Sequence, residues 1–144
     1  MAELRSLLGG RAAEQVVFGV QTTGAANDIQ RATAMARNMI AMYGMSESLG
    51  LMAPATVTNQ YLDHQSYLDC SQETSALVDR ETKRLLQSCY EDAVKTLTEN
   101  RALLDEISQF LLVKETITGD ELMAFIRAAK TPELQAEAPA EEAE

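Results

Sequence analysis

The chain has 144 residues, with 12 Lys and Arg against 22 Asp and Glu, one His, two Cys and no Trp, and a formal charge of −10. A body of this size buries roughly 70% of the surface its unfolded chain would expose, so a core forms without metal or disulfide staples. The negative balance repels phosphate backbones and anionic headgroups, which argues against nucleic acid as a partner and against membrane contact by this segment itself, and no apolar run of about 18 residues is present to span a bilayer.

Apolar residues recur at three- and four-residue steps through most of the chain, and the fold class predicted is all-α, a helical bundle. The first helix is expected over Glu3–Phe18 and closes at Gly19, a residue suited to the left-handed position after a helix. Gly9 and Gly10 interrupt it at about 1 kcal/mol each relative to Ala, so either the chain turns there or another element packs too closely for a Cβ. A second helix, Ala26 to Tyr43, carries a stripe of Ile29, Ala32, Thr33, Ala36, Ile40 and Tyr43 and stops at Gly44. From 46 to 70 the periodicity fails, which predicts an irregular connection with at most a short strand.

Ser71 is placed to cap a long third helix, Gln72 to about Glu99, whose stripe includes Leu77, Val78, Leu85, Leu86, Cys89, Ala93, Val94 and Leu97 over roughly 40 Å. Asn100 is placed to cap a fourth helix with Leu103, Leu104, Ile107, Leu111 and Leu112 on its apolar side. Thr118 to Glu121 reads as a capping box starting a fifth helix that ends near Lys130. Residues 1–130 thus form the helical part, and 131–144 an acidic tail with nothing to bury, expected to be disordered. Half of the net charge lies in that tail, on Glu133, Glu137, Glu141, Glu142 and Glu144.

Most carboxylates belong on solvated faces. Two small-residue segments stand apart: Gly9 to Glu14, and Thr22 to Ile29 with Asp28. Asp28 falls in the first turn of its helix, where unpaired N–H groups favour an anion by some 0.3–1 kcal/mol. The residues alone leave open whether it only charges the helix start or serves as a ligand, and Glu14 is equally readable as an ordinary helix carboxylate. Cys70 and Cys89 have no CxxC spacing and no histidine beside them, which predicts free thiols. His64 reads as a surface residue, and the methionines between Met35 and Met52 as core filling or a helix interface.

The runs GGRAAEQVVFG and TTGAANDIQRATAMARNMIAMYGMSESLG, between Leu8 and Gly50, closely resemble the second half of the peptidase domain of FtsH, the membrane-anchored ATP-dependent zinc metalloprotease family. The likeness continues to about Phe125. In that family two histidines of an HExxH helix and a later aspartate hold the zinc, and the resemblance implies that Asp28 is that aspartate. It implies that Glu14 lies beside the metal and accepts a hydrogen bond from a ligating histidine.

The sequence contains no HExxH, so no catalytic residue is assigned here and the chain alone is expected to be inactive. The chain is accordingly read as a fragment or partial product of a longer protease, the ATPase module with its ATP and Mg and the membrane anchor lying elsewhere. The resemblance further implies a homo-hexamer and polypeptide substrates that are unfolded or drawn from membranes. It implies a place on the cytoplasmic face of the inner membrane in a bacterium, or at an organelle membrane in a eukaryote. The rival reading is a non-catalytic helical assembly or adaptor module derived from the same scaffold.

Overall fold

A computed structural model describes the backbone of residues 1–57 and 66–136, and the side chains of residues 1–55 and 69–129. The elements are α1 (Ala2–Phe18), α2 (Ala26–Ala41), β1 (Ala55–Val57), β2 (Ser66–Leu68), α3 (Gln72–Glu99), α4 (Arg101–Lys114) and α5 (Gly119–Ala136). The fold is all-α. It divides into two compact units, residues 1–97 and 98–144.

In the first unit α1 packs on α2 through small residues. Ala12, Ala32 and Ala36 are fully buried, and Leu4, Leu8, Ala32, Ala36 and Cys89 form one apolar cluster against which Met35, Met39, Leu85 and Leu86 pack. A second cluster joins Ile40 and Ala41 to Val78 of α3. Arg37 on α2 reaches Asp79 on α3 at 2.9 Å, a half-exposed ion pair of small weight beside the packing.

Helix α1 runs unbroken through Gly9 and Gly10, contrary to both expectations for that pair. Each glycine has open space where a Cβ would stand. Burial of Leu4, Leu8 and Ala12 on the same helix outweighs the propensity cost, which is only about 1 kcal/mol per glycine. At its end Gly19 adopts φ 68°, and its N–H closes on the Gln15 carbonyl at 3.1 Å.

Helix α2 ends at Ala41, two residues before the expected end, and the chain turns through Gly44 at φ 63°. Tyr43, placed on the apolar stripe by its spacing, therefore leaves the helical phase and is exposed. The same turn buries Ser46, whose hydroxyl donates to Glu81 of α3 at 3.3 Å. Glu81 also accepts from Arg84 at 2.7 Å, which explains how a carboxylate is tolerated on the buried face of α3. Within the 46–70 connection β1 and β2 pair antiparallel, Ala55 opposite Leu68 and Val57 opposite Ser66, so there are two short strands where at most one was expected. His64 lies outside the described residues.

Ser71 caps α3 as expected, its Oγ accepting the Thr74 N–H at 3.2 Å. Asn100 stands at the start of α4 but forms no side-chain cap bond there. In the second unit Phe110 of α4 meets Phe125 of α5 edge to face, with centroids 5.3 Å apart. Leu103, Leu104, Ile107 and Leu111 are half-buried, whereas Leu112, expected on the same side, is 84% exposed. At about 100° per residue Leu112 stands on the opposite side of the helix from Leu103, nine residues earlier, and so falls off the covered face. The capping box forms: Glu121 accepts the Thr118 N–H at 2.9 Å, and Thr118 Oγ1 accepts the Glu121 N–H at 3.3 Å. Helix α5 runs on to Ala136, past the expected end near Lys130, and the expected tail beyond it lies outside the described residues.

Two outcomes follow from these contacts. Gly10→Ala fills open space inside α1 and should raise the unfolding free energy of the 144-residue chain by about 1 kcal/mol, measured by urea denaturation. Glu121 is held down to about 2, chiefly by the Lys114 ammonium and then by the Thr118 N–H and hydroxyl. A carboxylate with a lowered folded-state value contributes stability above its ordinary value, near 4.5, and loses it as pH falls toward 2. Glu121→Gln should therefore flatten the loss of helicity of the second unit across that window, measured by circular dichroism.

Candidate metal centre

The seven residues between α1 and α2 connect the helix that carries Glu14 to the helix that carries Asp28. Glu14 sits on the last turn but one of α1 with its side chain about one-fifth exposed. Gly19 closes the helix, and the following turn delivers Thr22 to Glu14: the Thr22 N–H donates to Oε2 at 3.1 Å and the Thr22 hydroxyl donates to Oε1. Arg11 lies 3.8 Å from Oε2, one turn back on the same helix. The Thr22 hydroxyl first, then its N–H, hold the Glu14 carboxyl below the usual carboxylate range, against a smaller opposing effect of burial, with Arg11 adding to the lowering.

The turn then enters α2. Gly24 donates its N–H to Thr22 Oγ1 at 3.2 Å, and the Ala26 N–H closes on the Thr23 carbonyl at 3.1 Å. Ala25 is the N-cap and supplies no side-chain bond. Asp28 therefore stands in an uncapped first turn, its side chain 45% exposed, with Arg31 4.0 Å away as its charged neighbour. A contact of that length at that exposure commits the carboxylate to little.

One oxygen donor of this kind fits one position of a zinc site. The described residues do not complete it, since no group of three His, Cys, Asp or Glu converges among them. Both cysteines are unpaired, Cys89 within the core and Cys70 half-buried, and burial pushes the Cys89 thiol up. A groove of about 500 Å³ opens between α1, α2 and α3. Its lining includes Arg11, Gln21 and Ile29, sequence neighbours of Glu14, Thr22 and Asp28, together with Leu8, Leu86 and Tyr90.

The sequence matches the profile of peptidase family M41 over residues 1–125. The chain belongs to this family. Among its relatives, a protein of Clostridium perfringens named ATP-dependent zinc metalloprotease FtsH is 51% identical over 124 residues, 86% of this chain and 17% of the relative. FtsH of Lancefieldella parvula is 45% identical over 131 residues, covering 91% and 20%, and that of Thermotoga maritima 46% over 123 residues, covering 83% and 20%. The chain thus spans about a fifth of the length of these relatives and corresponds to the C-terminal part of the FtsH peptidase segment. No helix among the described residues of this M41 segment is long and apolar enough to cross a membrane.

The sequence sets the Thr22–Ile29 segment apart and marks Glu14 and Asp28 as candidates, but it assigns no role to Thr22 and Gly24, which join Glu14 to the start of α2. The available signal was the pair of glycines, Gly19 and Gly24, bracketing a polar turn. A Cβ at position 24 would stand 3.3 Å from Thr22 Oγ1 and 3.6 Å from Glu14 Oε1. Since that hydroxyl is already held on two sides, Gly24→Ala should displace it and lower the melting temperature by a few degrees, equivalent to about 1 kcal/mol. Calorimetry of the 144-residue chain checks this.

Proposed function

We propose that this M41 chain is the part of an ATP-dependent zinc metalloendopeptidase that supplies the aspartate ligand of the catalytic zinc. The observation that carries the reading is Asp28 itself, a carboxylate at an uncapped helix start, partly exposed and weakly engaged, at the position where the resemblance puts the ligand. Zinc bound there supplies Lewis acidity toward a peptide carbonyl and water. Asp28 contributes one oxygen and a negative charge. With a single histidine in the sequence, the two histidine ligands and the general base come from sequence outside these 144 residues.

Glu14 supports that shell as an acceptor. A carboxylate has about four lone-pair sites, and Thr22 occupies one on each oxygen, so capacity remains for the N–H of a ligating imidazole. Such a bond fixes the ring's tautomer and orientation.

The proposed substrates are unfolded or membrane-extracted polypeptides, delivered by an ATPase module with its ATP and Mg in a homo-hexameric ring on the cytoplasmic face of a bacterial inner membrane. The bacterial relatives support the setting. Large apolar side chains left outside both cores, Leu51 and Val113 among them, support subunit contacts, and they are also what a non-catalytic assembly module would present.

A chimaera in which residues 1–125 replace the matching segment of the Thermotoga maritima relative separates these readings, with the isolated 144-residue chain as the inactive control. The chimaera should bind zinc and cleave casein. Asp28→Asn keeps the side-chain size and removes the charge, so it should strip zinc and abolish cleavage while leaving ATP hydrolysis and assembly intact. Glu14→Gln should cost roughly 10- to 100-fold in zinc affinity or turnover. If Asp28 merely charged the helix start, Asn would cost only the helix-dipole interaction, about 0.3–1 kcal/mol of stability, and would leave zinc and cleavage near normal. Full zinc and near-normal turnover in the Asp28→Asn chimaera would overturn the assignment.

A further inference from the structure

Glu14 ends in a terminal torsion that is soft, and its own helix offers the carboxylate only the Arg11 guanidinium, 3.8 Å from Oε2 and too long for a hydrogen bond that would fix its orientation. The selection comes from one residue across the turn. Thr22 donates to both oxygens, through its hydroxyl and through its N–H at 3.1 Å. A hydroxyl carries one proton and two lone pairs; by donating to Glu14 and accepting the Gly24 N–H at 3.2 Å, that of Thr22 loses its rotational freedom. Gly24 lies against both partners, close enough that a Cβ there would press on the hydroxyl. From Gly24 the turn continues through the Ala26 N–H bond to the Thr23 carbonyl, and the Ile29 N–H bond to the Ala25 carbonyl at 3.0 Å spans Asp28.

We infer that Thr22 is a positioning residue of the proposed zinc centre, holding the Glu14 carboxylate in one orientation and tying it to the turn that sets the start of α2 and hence Asp28. The inference rests on the roles proposed for Asp28 and Glu14, and it adds a residue that touches neither zinc nor substrate. The two bonds divide the work. The backbone N–H survives any substitution that keeps the turn, whereas the hydroxyl touches Glu14 and Gly24 at once. Removing the hydroxyl therefore releases one carboxylate oxygen and the Gly24 amide together, while the exposed position of Thr22 leaves the core untouched. A Thr that merely shaped the turn would act on stability and not through Glu14.

Thr22→Val keeps the shape and the N–H, and Thr22→Ser restores the hydroxyl. In the 144-residue chain, Thr22→Val should speed exchange of the Gly24 amide about 10-fold and lower the melting temperature by a few degrees, as Gly24→Ala does, and Thr22→Ser should return both to wild-type values. In the chimaera, Thr22→Val should weaken zinc by about 10-fold in chelator competition and lower kcat with KM unchanged, the lower end of what a supporting residue costs because the N–H bond remains. Thr22→Ser should rescue both. In the Glu14→Gln background the Thr22→Val change should add nothing, since both act through one carboxylate. Wild-type zinc affinity in Thr22→Val, beside a loss in Glu14→Gln, would overturn the inference, and so would a full additional loss in the double variant. Wild-type zinc affinity and turnover in Glu14→Gln would overturn the role of Glu14 itself, a different failure from that of Thr22.

Discussion

The structure depends on how the chain returns after α1. Gly19 takes the left-handed conformation that an L side chain adopts only at a cost, and the turn beyond it is secured by a carboxylate that belongs to the helix just completed. With Thr22 bound to Glu14, α2 starts where it can lie on α1. Ala12, Ala32 and Ala36 then present no side chain large enough to hold the helices apart. The close packing and the candidate site therefore share one cause. The contact that fixes the geometry of the return also orients Glu14 and sets the first turn that carries Asp28.

Burial and chemistry are kept apart in this arrangement. Leu4, Leu8, Cys89 and Val78 fill the interior, while Glu14 and Asp28 stand at its margin, partly exposed. A carboxylate at a margin gives up less hydration than one in the core. The buried acid, Glu81, occupies the opposite situation, enclosed by Ser46 and paired with Arg84, and it serves the attachment of the Gly44–Gly50 turn to α3. Glu81 is thus surrounded by partners in the same small unit in which Asp28 is engaged only by a distant Arg31.

The second unit has a different economy. No residue of α4 is buried, and the pair α4–α5 is held by the Phe110–Phe125 contact, the Lys114–Glu121 ion pair and the capping box. Lys114 also lies 5.3 Å from the Phe110 ring centroid, so one ammonium serves the aromatic pair and the cap together. Leu112 and Val113, both exposed, leave apolar surface outside this small core.

Local chemistry wrote much of this into the chain. The closure of α1 at Gly19, the Ser71 cap and the Thr118–Glu121 box each involve residues within about one helical turn, and the span Gln72–Glu99 follows a repeating three- and four-residue step, so spacing and side-chain type suffice to specify them. The family, with Asp28 and Glu14 as the residues of interest, was equally legible, because its motifs are contiguous strings. What only the tertiary structure decided involves partners remote along the chain. The unbroken course of α1 through Gly9 and Gly10 came from burial on other helices, and the exposure of Tyr43 from the early end of α2. The tolerance of Glu81 in a buried face came from Ser46, thirty-five positions away. The grip of Thr22 on Glu14 required a helix, a left-handed glycine and a turn to be complete before the two could meet, and no periodicity in the sequence encodes a contact that exists only after the chain has folded back.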